Sequence, residues 1–147
     1  MSLKIIALII AALAGGLMAV QGSLNTALAK FVGLSGATFI VHLIGVVAIA
    51  LFLIIGIGEA KLGSYLRAPW YAYLGGLFSV LIIYAVAYSI RHIGVAKATT
   101  AIILAQVSTA LLVDHFGFFG LKEICFTLYK GLGVLLLAGG AYLMLMD

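Results

Sequence analysis

Charge is what this chain has least of. Only 8% of its 147 residues are Asp, Glu, Lys or Arg, whereas a soluble domain carries about 25%. So few charges cannot clothe a globule in water. That excludes an ordinary soluble enzyme, a disordered tail and a nucleic-acid-binding domain. Cysteine occurs once, at Cys125, so no intrachain disulfide scaffold is possible. Proline also occurs once, at Pro69, which argues against a loop-rich fold. The acids are Glu59, Asp114, Glu123 and Asp147, and none falls in the middle of an apolar run.

What the chain has in abundance is oil. It is 66% hydrophobic, with a mean hydropathy of +1.35. The net charge of +4 comes from eight scattered Lys and Arg. They form no patch, and fit anchors at a membrane surface better than a phosphate footprint. A bilayer core of roughly 30 Å takes about 20 apolar residues as helix. Inside it every backbone group must be bonded internally, so the spans are expected to be helices. A β-barrel strand would alternate apolar and polar residues, which Leu43–Ile57 does not.

Five spans are expected, at about 3–29, 34–57, 70–90, 98–113 and 126–146. The gaps between them are too short to fold separately. The expectation is therefore an all-α integral membrane protein, with residues 1–147 as a single transmembrane domain. Lys4, Ile5–Leu13 and Ala12-Leu13-Ala14 resemble a secretory leader with a cleavage site. Apolar sequence runs on well past that site, however, so a retained first span is expected. That span rises roughly 40 Å, more than the bilayer core, so it is expected to be tilted or bent, with Gly15-Gly16 as the candidate bend or hinge. The fourth, at roughly 24 Å, is short, and its ends would be shielded by protein or reach the interface through Lys97 and Asp114.

With the N-terminus inside, Lys4, Lys61, Arg67, Lys122 and Lys130 lie inside, and Lys30, Arg91 and Lys97 outside. A bias this small permits insertion in both orientations. An odd number of spans, inserted both ways, would make a ten-helix antiparallel homodimer with the symmetry of inverted-repeat transporters. A parallel dimer and an oriented monomer are the alternatives. Small residues three or four apart (Ala12 with Gly16, Gly15 with Ala19, Ala101 with Ala105) suit close helix packing.

Polar side chains at membrane depth are costly, and so are candidates for function. Gln21 and Asn25 lie four apart on one helix face. Two amides there could hold a neutral or zwitterionic solute, or could bond neighbouring helices. Gln106 shares a face with Thr99 and Thr109. His42 lies inside the second span, as a proton-active group or a satisfied core group. Tyr84 and Tyr88 are four apart, lining a cavity or simply packing. Trp70, Tyr71 and Tyr73 read as an interfacial belt. Asp114-His115, followed by Phe116-Gly117-Phe118-Phe119-Gly120, reads as an interfacial turn or, alternatively, a proton site. The sequence has no phosphate loop, metal-ligand cluster or nucleophile elbow. No enzyme activity, cofactor or metal is expected.

Three stretches resemble a known family. They are Gly15–Leu28, with its glutamine and asparagine four apart; Pro69–Gly76; and Ala105-Gln106 with Leu111–Gly120. Together they are similar to the half-size, five-helix, YdcZ-type branch of the drug/metabolite transporter superfamily. The resemblance implies one half of a ten-helix inverted-repeat bundle in a bacterial inner membrane, and no settled substrate. The family often has glycine before the fourth-helix glutamine, where this chain has Ala105, whose methyl would narrow a cavity beside Gln106.

The expected activity is alternating-access transport of a small polar or amphipathic solute by a homodimer in the lipid bilayer. Gln21, Asn25 and Gln106 would contact the solute, with Tyr84, Tyr88 and His42 as further lining and Gly15-Gly16 as a hinge. The alternative is a non-transporting membrane subunit or assembly partner whose amides are inter-helix glue.

Overall fold

The computed structural model describes residues 2–58 and 60–146. Four long helices carry the chain: α1 (Leu3–Ile55), α2 (Leu74–Ile93), α3 (Val95–Phe116) and α4 (Leu128–Leu145). No strand occurs among the described residues. All four helices are long and apolar enough to cross a bilayer. At 53 residues α1 can cross twice, and it is interrupted once, at Gly33. Gly33 has φ 74° and ψ 166°, a region open essentially to glycine alone. Residues 3–32 form the first arm of α1 and residues 34–55 the second. The protein is therefore an all-α, multi-pass membrane protein, and among the described residues the two arms of α1 have the lengths of two separate spans.

The break corrects one expectation. The chain is helical straight through Gly15-Gly16, and the non-helical torsions fall on Gly33 instead. A glycine pair inside a helix can keep α torsions and its backbone hydrogen bonds, so flexibility alone makes no bend. The second arm ends at Gly56 (φ 79°, ψ 22°), whose N–H donates to Leu53 O while Ile57 N–H donates to Phe52 O. This is the paired bonding of a Schellman cap.

The chain forms two compact units, Met1–His92 and Ile93–Asp147. In the first, α1 meets α2 through small residues. Gly22, Thr26, Ala29, Ala37 and Thr38 are buried on α1, and Ala87 and Ile90 on α2. Large apolar side chains such as Leu17, Phe31, Phe39 and Leu81 are exposed. That arrangement suits lipid, where helices associate by close backbone approach rather than by hiding oil from water. A Cβ on Gly22 would lie 2.8 Å from Ile90 Cδ1 and 3.0 Å from Val86 Cγ1. Short 3₁₀ turns at Leu62–Arg67 and Trp70–Tyr73 connect α1 to α2. They are tied by a hydrogen bond from the Tyr73 hydroxyl to the Tyr65 carbonyl. Trp70, Tyr71 and Tyr73 are exposed here, where an interfacial belt is expected.

In the second unit α3 packs on α4. It has 22 residues, longer than the apolar run alone suggests, because Lys97 and Asp114 continue the helix rather than bounding it. Gly94, before α3, has φ 81° and ψ 167°, nearly the torsions of Gly33. After α3, Gly117 (φ 58°) caps the helix and the chain doubles back. Ile124 N–H donates to Asp114 O at 2.8 Å, and Phe126 N–H donates to His115 Nδ1 at 3.3 Å. The Phe126 ring then lies over Gly131, where a Cβ would be 3.0 Å from its Cζ. Thr127 caps α4 by accepting from Lys130 N–H at 3.3 Å.

Two glycines make a graded test. Gly33 has open space around it, so Gly33→Ala carries torsional strain alone. At Gly117 a Cβ also falls 2.6 Å from Glu123 Cγ and 3.0 Å from Leu121 O. Both variants should lose stability, on the order of 1–3 kcal/mol, with Gly117→Ala the worse. Reversible unfolding in mixed micelles measures both, and the opposite order would contradict the loop geometry.

Candidate functional site

Serine and threonine inside a helix can satisfy themselves. Their hydroxyls reach the carbonyl one turn back. Ser23 donates to Ala19 O (2.9 Å), Thr26 to Gly22 O (2.8 Å), Thr38 to Leu34 O (2.9 Å) and Ser108 to Leu104 O (2.8 Å). Thr26 also reaches Ala87 O, at 3.4 Å, across to α2. Thr26 and Thr38 are thus structural.

The amides behave differently. Gln21 and Asn25 sit one turn apart on the first arm of α1 and, with Ala14, Leu17, Met18 and Leu24, line a cavity of about 450 Å³ that is open along that arm. Asn25 is only 6% exposed. Among the described residues, neither amide makes a side-chain hydrogen bond to the chain, and no sealed-off polar side-chain atom lacks a partner. Their donors and acceptors therefore face the cavity. One apolar wall and two amides give it mixed donor and acceptor capacity without fixed charge.

Gln106, in the second unit, lines a cavity of about 520 Å³, open along one face of α3, with Ala105, Thr109, Ala110, Val113 and Asp114. The helix thus brings together Gln106 and Thr109, as their spacing suggests, and adds a carboxylate. Asp114 lies eight residues after Gln106, near enough to two helical turns to share its face. That spacing was the available signal, hidden because Asp114 looks like the end of an apolar run. Asp114-His115 builds the turn: Asp114 accepts through its backbone carbonyl and His115 through Nδ1. Because His115 Nδ1 accepts, the neutral ring carries its proton on Nε2.

His42 and Tyr84 meet in a third cavity, of about 270 Å³, with Ser35, Thr38, Phe39 and Val80. His42 Nδ1 lies 2.7 Å from Thr38 O and Nε2 lies 3.1 Å from Ser79 Oγ on α2. Sequence spacing does not reveal Ser79, which is 37 positions away. Tyr88 lines none of these three cavities. Its ring stacks on His92 at a centroid distance of 4.2 Å, and its carbonyl accepts from His92 Nδ1 at 2.7 Å. Between α3 and α4 lies a larger crevice, of about 960 Å³, whose walls include Leu111, Leu112, Phe116, Phe126 and Leu132. No grouping of three or more His, Cys, Asp or Glu that could hold a metal occurs among the described residues.

A membrane-embedded bundle with small residues at its seams and unpaired amides on cavity walls has the make-up of a solute carrier. Residues 6–143 match the model of a family described as "Putative inner membrane exporter, YdcZ". The chain belongs to that family. No curated protein and no solved structure matches it.

Neighbouring positions on one helical turn should respond in opposite ways. Gln21→Ala removes an amide with no partner in the chain, and should change stability by less than about 0.5 kcal/mol. Gly22→Leu drives a side chain into Ile90 and Val86, and should cost about 1–3 kcal/mol. Denaturant titration in micelles separates the two; a large loss in Gln21→Ala would mean that the amide is structural.

Proposed function

We propose that this protein exports a small polar or amphipathic solute across a bacterial inner membrane by alternating access. Its working form is a homodimer of oppositely oriented subunits, each supplying half of a ten-helix transporter of the drug/metabolite superfamily. The observation that carries this reading is the contrast among polar groups. The hydroxyls of Ser23, Thr26, Thr38 and Ser108 turn back to their own helix, whereas Gln21 and Asn25 leave their amides to a shared cavity. An unpaired amide at membrane depth is costly unless a guest or water supplies its bonds. Membership of an exporter family supports the same reading.

In this mechanism Gln21 and Asn25 bind the solute's polar groups. Gln106, with Thr109 and Asp114, lines a second polar surface on α3. Tyr84 supplies further lining. Gly33 is a better pivot than Gly15-Gly16, because it already stands outside helical torsions. The competing reading is a non-transporting subunit whose free amides bond another chain.

Accessibility decides between the two. In a Cys125→Ser background, Met18→Cys and Ala110→Cys place thiols on the two amide cavities. A membrane-impermeant maleimide should label both in sealed vesicles, whereas a packed seam would leave both inert. Orientation is read separately with Ser64→Cys, in the exposed linker. Subunits inserted both ways should label from outside to roughly half the extent reached after permeabilisation. All-or-none labelling would remove the antiparallel dimer.

A further inference from the structure

The His42 cavity differs from the amide cavity in a way that the solute-binding role does not explain. A carbonyl only accepts, so His42 Nδ1 must donate to Thr38 O. That fixes the neutral tautomer and leaves Nε2 as the basic nitrogen, accepting from the Ser79 hydroxyl. When Nε2 takes up a proton it becomes a donor, and Ser79 Oγ can accept in return. One bond reverses direction and the other is unchanged, so the ring can charge and discharge without losing either partner. Ser79 is able to do this because a hydroxyl is both donor and acceptor.

Water has a place beside the ring. The cavity of about 270 Å³ exceeds the roughly 30 Å³ that one water occupies in the liquid. Of its hydroxyls, Thr38 is already turned to Leu34 O. Those of Ser35 and Tyr84 make no hydrogen bond among the described residues, and can hold water against His42. His42 lies nine residues beyond the break at Gly33, about 13 Å along the second arm and well inside a core of roughly 30 Å. The other titratable group facing it is the Tyr84 phenol, from α2. No Asp, Glu, Lys or Arg lines the cavity, so nothing there neutralises a charge on the ring. A cation in that setting favours whichever arrangement wets it.

We propose that His42 is the proton-binding group that drives this transporter. It takes a proton from cavity water on Nε2, with Ser79 reversing its hydrogen bond to hold either state. The charge thereby shifts the balance between conformations that open the amide cavity. Proton coupling rests on the transport reading above; proton binding at His42 does not.

Two measurements test it. The first is nitrogen-15 magnetic resonance of histidine-labelled protein in lipid vesicles, with His42→Gln assigning the signal. On acidification through the range where imidazoles titrate, about pH 8 to 5, His42 should pass from a ring protonated at Nδ1 alone to a doubly protonated one. A ring that stays singly protonated, or that carries its neutral proton on Nε2, overturns the proposal. The second is maleimide labelling of Met18→Cys, normalised to the exposed Ser64→Cys at each pH. The normalised rate should change by about threefold or more between pH 5.5 and 8, and should lose that dependence in His42→Gln. Ser79→Ala, which keeps the imidazole, should retain the response with its midpoint displaced. It serves if His42→Gln does not fold. If Met18→Cys is inert at every pH, the passage and its coupling both fall. If it labels equally at both pH values, or keeps its pH response in His42→Gln, the passage stands and His42 is not the coupling group.

Discussion

A polar group in hydrocarbon must find its hydrogen bond within the protein or beside trapped water, and that requirement organises this molecule. It makes the backbone helical wherever the backbone meets lipid. It turns the hydroxyls of Ser23, Thr26, Thr38 and Ser108 onto the carbonyls one turn back. Among the groups left over are the amides of Gln21, Asn25 and Gln106, the hydroxyls of Ser35 and Tyr84, and the second ring nitrogen of His42. His42 recruits Ser79 from another helix. The amides face cavities. The chemistry of the protein is concentrated in what local bonding leaves over.

The same requirement limits where the chain can turn. At Gly33 and Gly94 it leaves helical torsions for a single residue, with φ near 74° and 81° and ψ of 166° and 167°. The neighbourhoods match as well. Lys30-Phe31-Val32-Gly33-Leu34 and Arg91-His92-Ile93-Gly94-Val95 share the order basic, aromatic, β-branched, glycine, aliphatic. Each is followed at the same interval by an alanine and a threonine, and both alanines, Ala37 and Ala98, are 1% exposed. Similar local sequence gives similar local geometry because the ψ value demands glycine and the buried position demands a small side chain.

Hydropathy made the spans legible, and the Gln21–Asn25 face followed from helical spacing alone. Both depend on residues close in sequence. Gly15-Gly16 carries no static bend, because composition records that a glycine can bend, not whether neighbouring packing asks it to. The last turn of α3 was hidden because Asp114 looks like a boundary to a count of apolar residues, yet its backbone is helical. The bond from His42 to Ser79 joins residues on different helices, and periodicity within one helix carries no trace of it. Tyr84 and Tyr88 differ in setting although they look equivalent on a helical wheel, because His92 lies one turn from Tyr88 and takes up its ring.

The single-residue joint at Gly33 bears on how the protein reaches the membrane. A connection of one glycine leaves almost no hydrophilic stretch for the insertion machinery to hold on either side. The first arm of α1 therefore has little chance to settle across the bilayer before the second emerges. The two arms then enter lipid together, and Lys4 and Lys30, at opposite ends of the first arm, pull its orientation in opposite directions.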